Sequence, residues 1–359
     1  MTTASTSTRV RWLQALTSIP TAPGGEHQVV DWVERWAVRR GLRVKRDDAG
    51  NLVLSTVGRS RRRPVVAVAH LDHPALVVKA INEKSAVAEL RGGVLPPYLE
   101  GAAVESSGRT ARVASYSPET AEAVVTWHGT VPLRPGDVLR WKFSASVLGV
   151  KDGRLRAPAC DDLAGVAGAL AALDVAQARE LANFSVLLTR AEEVGFVGAM
   201  AACELGTVHP DARVLSIECS RASADAPLGA GPIVRVGDAS SVFTADLTNR
   251  VTEIVRRRKI PHQRKLMSGG SCEATAFVAL GWEATGLCLA LDNYHNMMDI
   301  DGVLAGRRRA RLAPEVISIA DFHGLVDLLV AAAADLNSSR SDLPNRLRDI
   351  YAQERSVLD

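Results

Sequence analysis

The sequence predicts an α/β domain interrupted by a small all-β domain, and three observations carry that prediction. Apolar runs at Pro64–Ala69, Phe184–Leu188, Val214–Ile217 and Ala284–Ala290 alternate with segments of helical periodicity, the rhythm of a mixed, mostly parallel sheet flanked by helices. That rhythm stops at Ala75 and resumes at Lys151. Between them, short β-rich runs (ALVVKAI, AVAELRGG, ARVASYS, EAVVTWHG, GDVLRWKF) are separated by glycine and proline turns. Finally, the apolar runs end in acids and histidines, at the strand ends where open α/β sheets bind ligands. The expected organisation is a discontinuous α/β domain from residues 1–74 and 151–336, an inserted β-barrel-like domain at 75–150, and a polar tail at 337–359.

Taken in order, Val10–Leu16 and His27–Arg40 read as amphipathic helices around the loop IPTAPGGE, and Leu42–Lys45 and Asn51–Val57 as strands either side of the turn DDAG. Pro64–Ala69 is a buried strand ending in His70-Leu71-Asp72. After the β-rich insert, Lys151–Arg156 forms a hairpin edge. APACDD leads into a helix at Leu163–Ala178, with Asp162 at its N-cap position. A strand ending in Glu192-Glu193 precedes a helix near Gly198–Leu205, and Val214–Ile217 ends in Glu218. Further elements are a strand at Ile233–Val236, a helix at Val242–Arg257, a helix near Glu273–Leu280 and a strand at Ala284–Ala290. The loop NYHNMMD and a long helix at Pro314–Leu336, with proline in its first turn, close the series.

Composition narrows the function. With 359 residues, 47% of them hydrophobic, the chain can bury a sizeable core. Net charge is +3 with signs mixed, and the basic runs Arg61–Arg63, Arg256–Lys259 and Arg307–Arg309 are short. A nucleic-acid partner, which wants a concentrated basic face, is not expected. Neither is a membrane span, because no apolar stretch reaches about 18 residues; MTTASTSTRV has no apolar signal region either. Cys160, Cys203, Cys219, Cys272 and Cys288 are odd in number and show no CxxC spacing. They read as free thiols of a reducing compartment, the cytoplasm, rather than as a zinc cluster.

The chemistry lies in the strand ends. Adjacent glutamates after a buried strand repel each other and lose water. A cation removes that cost for one of them and leaves the other to act as a base. Two metals about 3.5–4 Å apart need a ligand with two oxygens between them. Asp161 is expected to bridge, with His70 and Glu218 completing one site and Glu193 and His295 the other. Glu192 would take the proton of the attacking water and pass it to the leaving amine. Asp72 would hydrogen-bond the His70 ring and fix its tautomer. Taken singly, each residue has an ordinary reading: a satisfied strand-end histidine, a helix cap, an acid paired with a neighbour such as Arg221. Their order along successive strands is what favours a site. Two divalent ions are expected, zinc first, with cobalt and manganese also suited to these donors.

The same residues resemble the co-catalytic metallo-aminopeptidases of the M42 group, which includes glutamyl aminopeptidases and TET-type peptidases. The resemblance runs from about Arg9 to Leu336 and rests on HxD at His70–Asp72, the DD pair at Asp161-Asp162, EEVGxxGA at Glu192, the acid Glu218 and the late His295. LGAGP at Leu228–Pro232, IPHQ at Ile260–Gln263 and GGSCEA at Gly269–Ala274 are further matches. The long first gap, which holds the β insert, is similar to M42. The related M20 deacylases and carboxypeptidases carry their extra domain later in the chain. Departures are Glu218 and Glu273 where the group has aspartate, His73-Pro74 after HxD, and a His295 loop without the usual arginine and serine. The resemblance implies a zinc-peptidase-like fold, hydrolysis of N-terminal residues from short peptides, and homo-oligomers from dimers to dodecamers. The alternatives are an M20-like deacylase or carboxypeptidase acting on N-acyl amino acids or dipeptides, and a degenerate homologue that binds peptides without cleaving them.

Overall fold

The fold was obtained as a computed structural model and describes residues 3–106, 108–128 and 133–358. The chain opens with α1 (Thr6–Leu16) and α2 (His27–Val38), then β1 (Arg43–Arg46), β2 (Leu52–Ser55) and β3 (Val65–His70). Every residue of β3 is buried. A strand covered on both faces gains from apolar side chains at successive positions, which is why VVAVA shows no alternation.

After β3 the chain leaves the main sheet and closes a six-stranded barrel: β4 (Ala75–Ile81), β5 (Ser85–Arg91), β6 (Ala103–Ser106), β7 (Arg109–Ser117), β8 (Glu122–Thr126) and β9 (Val138–Trp141). The order round the barrel is β4-β5-β8-β7-β6-β9. Here burial alternates along β5 and β8, since one face meets the barrel interior and the other solvent. Leu76, Val78, Tyr98, Leu99, Val125 and Trp141 fill the interior, and Met297 from the α/β domain joins them.

The chain then returns through β10 (Gly149–Lys151), β11 (Arg154–Ala157), α3 (Leu163–Ala178), β12 (Phe184–Thr189), α4 (Val197–Glu204), β13 (Arg213–Arg221), β14 (Ile233–Gly237), α5 (Ala245–Arg257), β15 (Gln263–Leu266), α6 (Glu273–Ala279), β16 (Glu283–Leu291), α7 (Ile300–Leu304), β17 (Glu315–Ser318), α8 (Ile319–Asp335) and α9 (Leu343–Glu354). The main sheet has the order β1-β2-β12-β3-β13-β16-β14-β15, and β10, β11 and β17 form a separate small sheet. In the main sheet β12, β3, β13 and β16 run parallel side by side. Their carboxyl ends therefore open on the same edge. The α/β class expected from the sequence is the class that forms.

α3 is buried over most of its length and packs on α1, α8 and the sheet, so its Ala, Gly and Leu composition reflects a helix enclosed on nearly all sides. One element departs from expectation. The stretch from Pro314 is not a single helix: β17 comes first, pairing with β11, and α8 starts at Ile319 with Ser318 as its capping residue. The backbone of Glu315–Ser318 finds its hydrogen bonds in a neighbouring strand, which proline at position 314 permits as readily as it permits a helix start. Among the described residues no helix is long and apolar enough to cross a membrane, and all five cysteines are free and buried.

Candidate metal centre

The carboxyl ends of β3, β12 and β13 and the loops after β11 and β16 converge on one buried cluster. His70 ends β3, and its Nε2 lies 3.5 Å from Asp161 Oδ1, 3.8 Å from Glu218 Oε2 and 4.0 Å from Glu192 Oε2. His295 Nε2 lies 3.5 Å from Asp161 Oδ2 and 3.2 Å from Glu193 Oε1. The two oxygens of Asp161 thus face different histidines. Two triads follow, His70/Asp161/Glu218 and Asp161/Glu193/His295, in each of which one ligand atom per residue lies within 4.8 Å of the others. A further group within the same limit joins His70 to Glu192 and Glu193. All seven residues singled out in the sequence are in this neighbourhood.

The electrostatics call for positive charge. Burial alone would push the His70 imidazole down, but Glu192, Asp161, Asp72 and Glu218 outweigh it and hold the ring well above its ordinary value. His295 behaves likewise, with Glu193 and Asp161 supplying the opposing charge. Asp161 is pulled the other way: burial would raise it, yet the two imidazoles hold it well below the usual carboxylate range. Burial, with Glu218 and Glu193 nearby, pushes Glu192 well above that range. Among the described residues no lysine or arginine stands within ion-pair distance of Asp161, Glu192, Glu193 or Glu218, and Glu218 Oε1 is buried without a hydrogen-bond donor. Imidazole nitrogen and carboxylate oxygen are the donors that zinc and comparable divalent ions prefer. His70, Asp161 and Glu218 fit one ion, and Asp161, Glu193 and His295 fit a second.

Both rings are turned the right way for this. His70 Nδ1 donates to the backbone carbonyl of Asp72 at 3.2 Å, and His295 Nδ1 to the carbonyl of Gly93 at 2.7 Å, which leaves each Nε2 for the cluster. The carboxylate of Asp72 has another occupation: it is 3.6 Å from His70 Nδ1 and accepts the backbone N–H groups of Glu192 and Glu193, each at 3.0 Å. Asp162 stands at the N-cap position of α3 without making a side-chain cap; its Oδ1 accepts the Cys219 thiol at 3.5 Å. The glutamate turn is tight. A Cβ on Gly198 would sit 2.3 Å from the carbonyl oxygen of Arg190, so the second glycine of EEVGxxGA permits that approach. Gly195, at φ +113°, takes a conformation that side chains disfavour.

Four residues with no expected role in the site, His73 among them, hold the cluster. Glu26, fully buried, accepts the N–H of Gly24 and Ala191 and pairs with Arg190 at 2.8 Å, bolting the IPTAPGGE loop to the glutamate turn. Both ring nitrogens of His73 face oxygens, the Asp161 carbonyl at 2.6 Å and Asn296 Oδ1 at 3.0 Å. Asn296 in turn donates to the carbonyls of Pro158 and Ala313. Glu315 accepts from Cys160, Asp161 and His295. Arg221, an alternative partner for Glu218 or for a substrate carboxylate, is paired with both oxygens of Asp301.

Residues 130–307 match the family model described as M42 glutamyl aminopeptidase. The chain belongs to the M42 peptidase family. The solved structures of similar shape agree with it. A TET peptidase of Pyrococcus horikoshii, described as assembling into a tetrahedron or a large octahedral shell, superposes with a TM-score of 0.75 at 21% identity over 92% of this chain and 100% of its own. An aminopeptidase from the archaeon Desulfurococcus kamchatkensis gives 0.73 at 20% identity over 94% and 96%. At such identities the likeness is one of fold. A shorter match, 33% identical over 96 residues, is to the cytosol non-specific dipeptidase of Escherichia coli (strain K12), and it spans 26% of this M42 chain and 19% of that protein.

Proposed function

We propose that this M42 chain is a dinuclear metal-dependent aminopeptidase that removes N-terminal residues from short peptides. The observation that carries the reading is the placement of Asp161, with Oδ1 toward His70 and Oδ2 toward His295, each oxygen belonging to a separate ligand triad. His70, Asp161 and Glu218 would hold one ion; Asp161, Glu193 and His295 the other. Two ions so held supply Lewis acidity and make water acidic enough to attack near neutral pH. Glu192, its carboxyl raised by burial and by Glu218, takes the proton from that water and returns it to the departing amine. Asp72 and Glu26 hold the turn that carries Glu192 and Glu193. Assembly of several copies belongs to the same proposal, since structural neighbours include a dodecamer and a tetrahedral shell. So does a cytoplasmic location, which suits five free thiols.

The test is a substrate panel of aminoacyl-anilides, free tripeptides, dipeptides and N-acyl amino acids, assayed after chelation and again with zinc, cobalt or manganese restored. Metal-restored cleavage of the free-amine substrates is the expected result. Cleavage of N-acyl amino acids alone would move the assignment to a deacylase. No cleavage by a folded, metal-bound protein would leave a peptide-binding homologue.

A further inference from the structure

Glu315 is fully buried and stands at the start of β17, outside every metal triad. Its Oε2 accepts the backbone N–H of Cys160 at 2.6 Å and of Asp161 at 3.0 Å, and its Oε1 accepts that of His295 at 2.9 Å. One carboxylate therefore joins the loop that carries the bridging acid to the loop that carries the late histidine. The second loop has particular need of a tie. Asn293, His295 and Asn296 all have positive φ, at 56°, 53° and 63°, a region that side chains bearing a Cβ disfavour. Contacts from outside the loop hold it there. Asn296 supplies some by donating to the carbonyls of Pro158 and Ala313, the His295 ring supplies another through the Gly93 carbonyl, and Glu315 holds the backbone N–H of His295.

We propose that Glu315 is a positioning residue of the metal centre, setting the distance between His295 and Asp161 and so the affinity of the Asp161/Glu193/His295 site in particular. The inference rests on the two-metal reading above. The chemistry predicts a selective effect. Glutamine in place of Glu315 keeps one acceptor oxygen. Set against the two amides of Cys160 and Asp161, that oxygen turns the new NH₂ toward the N–H of His295, donor against donor. The bridging loop stays held, and the histidine loop loses its tie to Glu315. His70 and Glu218 have no hydrogen bond to Glu315, so the other site keeps its ligands.

The experiment is calorimetric titration of chelated full-length protein with zinc, with stoichiometry by elemental analysis and cobalt absorption spectra as a second readout, on wild type, Glu315→Gln and Glu315→Asp. Wild type is expected to take up two ions. Glu315→Gln is expected to keep one tight ion and to bind the second about 10–100-fold more weakly, with a changed cobalt spectrum for that ion alone. Glu315→Asp retains the charge but is too short to span both loops; it should show the same selectivity and serves if the glutamine variant does not fold. Two ions bound as in wild type, or both weakened equally, would overturn the positioning role while leaving the metal reading intact. A wild-type chain that takes up fewer than two ions would overturn both.

Discussion

Asp72 and Glu192 are joined through the backbone: Asp72 Oδ1 accepts the Glu192 N–H at 3.0 Å, and its Oδ2 accepts the Glu193 N–H at the same distance. One buried acid at the end of β3 thereby fixes the turn after β12 that presents both glutamates. Asn in place of Asp72 offers a single acceptor and turns an NH₂ against the other amide. Asp72→Asn should lose about 10–100-fold in metal affinity or turnover while its circular dichroism stays that of wild type. Unchanged metal uptake and kinetics would show that the turn holds itself.

Glu192 and the ligands separate in a second comparison. Glu192→Gln removes a base and no ligand. It should retain its metal content while turnover falls by about 10²–10⁴-fold. His70→Ala and Asp161→Ala should instead lower metal stoichiometry, read by elemental analysis. Turnover retained in Glu192→Gln would sink the base assignment, and full metal content in the other two would sink the ligand set.

A pH effect on stability is expected from Glu273, which stands fully buried at the start of α6 with neither oxygen hydrogen-bonded. Burial, partly offset by His70 and reinforced by Glu218 and Asp72, pushes its carboxyl from 4.5 up to about 8. The folded chain then binds the proton more tightly than the unfolded one. Stability from this group is complete below about pH 4.5 and is lost as pH rises through about 8. Thermal midpoints of the chelated protein across that window should fall less steeply with rising pH in Glu273→Gln than in wild type. Parallel profiles would mean that Glu273 does not titrate there.

The strand ends were legible because β3, β12, β13 and β16 are buried on both faces. Their sequences run apolar and then break into His70, Glu192-Glu193 and Glu218, and a break of that kind survives without knowledge of the neighbours. What holds those residues leaves no spacing to read. Glu26 meets Ala191, Asp72 meets Glu192 and Glu315 meets Cys160, each through backbone amides far along the chain that any residue type could supply. Glu315 was hidden further by its setting. Four strand residues between a proline and an apolar helix are too few to show a period of two, so the stretch reads as helix. In the insert, the alternation along β5 and β8 was visible, whereas the order in which the strands close the barrel depends on pairings that local pattern does not encode.

The tie at Glu315 also has a consequence for how the protein is made. Residues leave the ribosome in order, and structure begins to form on those already available. His70, Asp161, Glu193, Glu218 and His295 have all emerged before Glu315 does. A nascent chain at that point carries every proposed ligand, with the His295 backbone still lacking its tie to Glu315. Tight binding at the Asp161/Glu193/His295 site therefore waits for β17, and premature termination just before that strand would yield a product with a full complement of donors and that one site weakened.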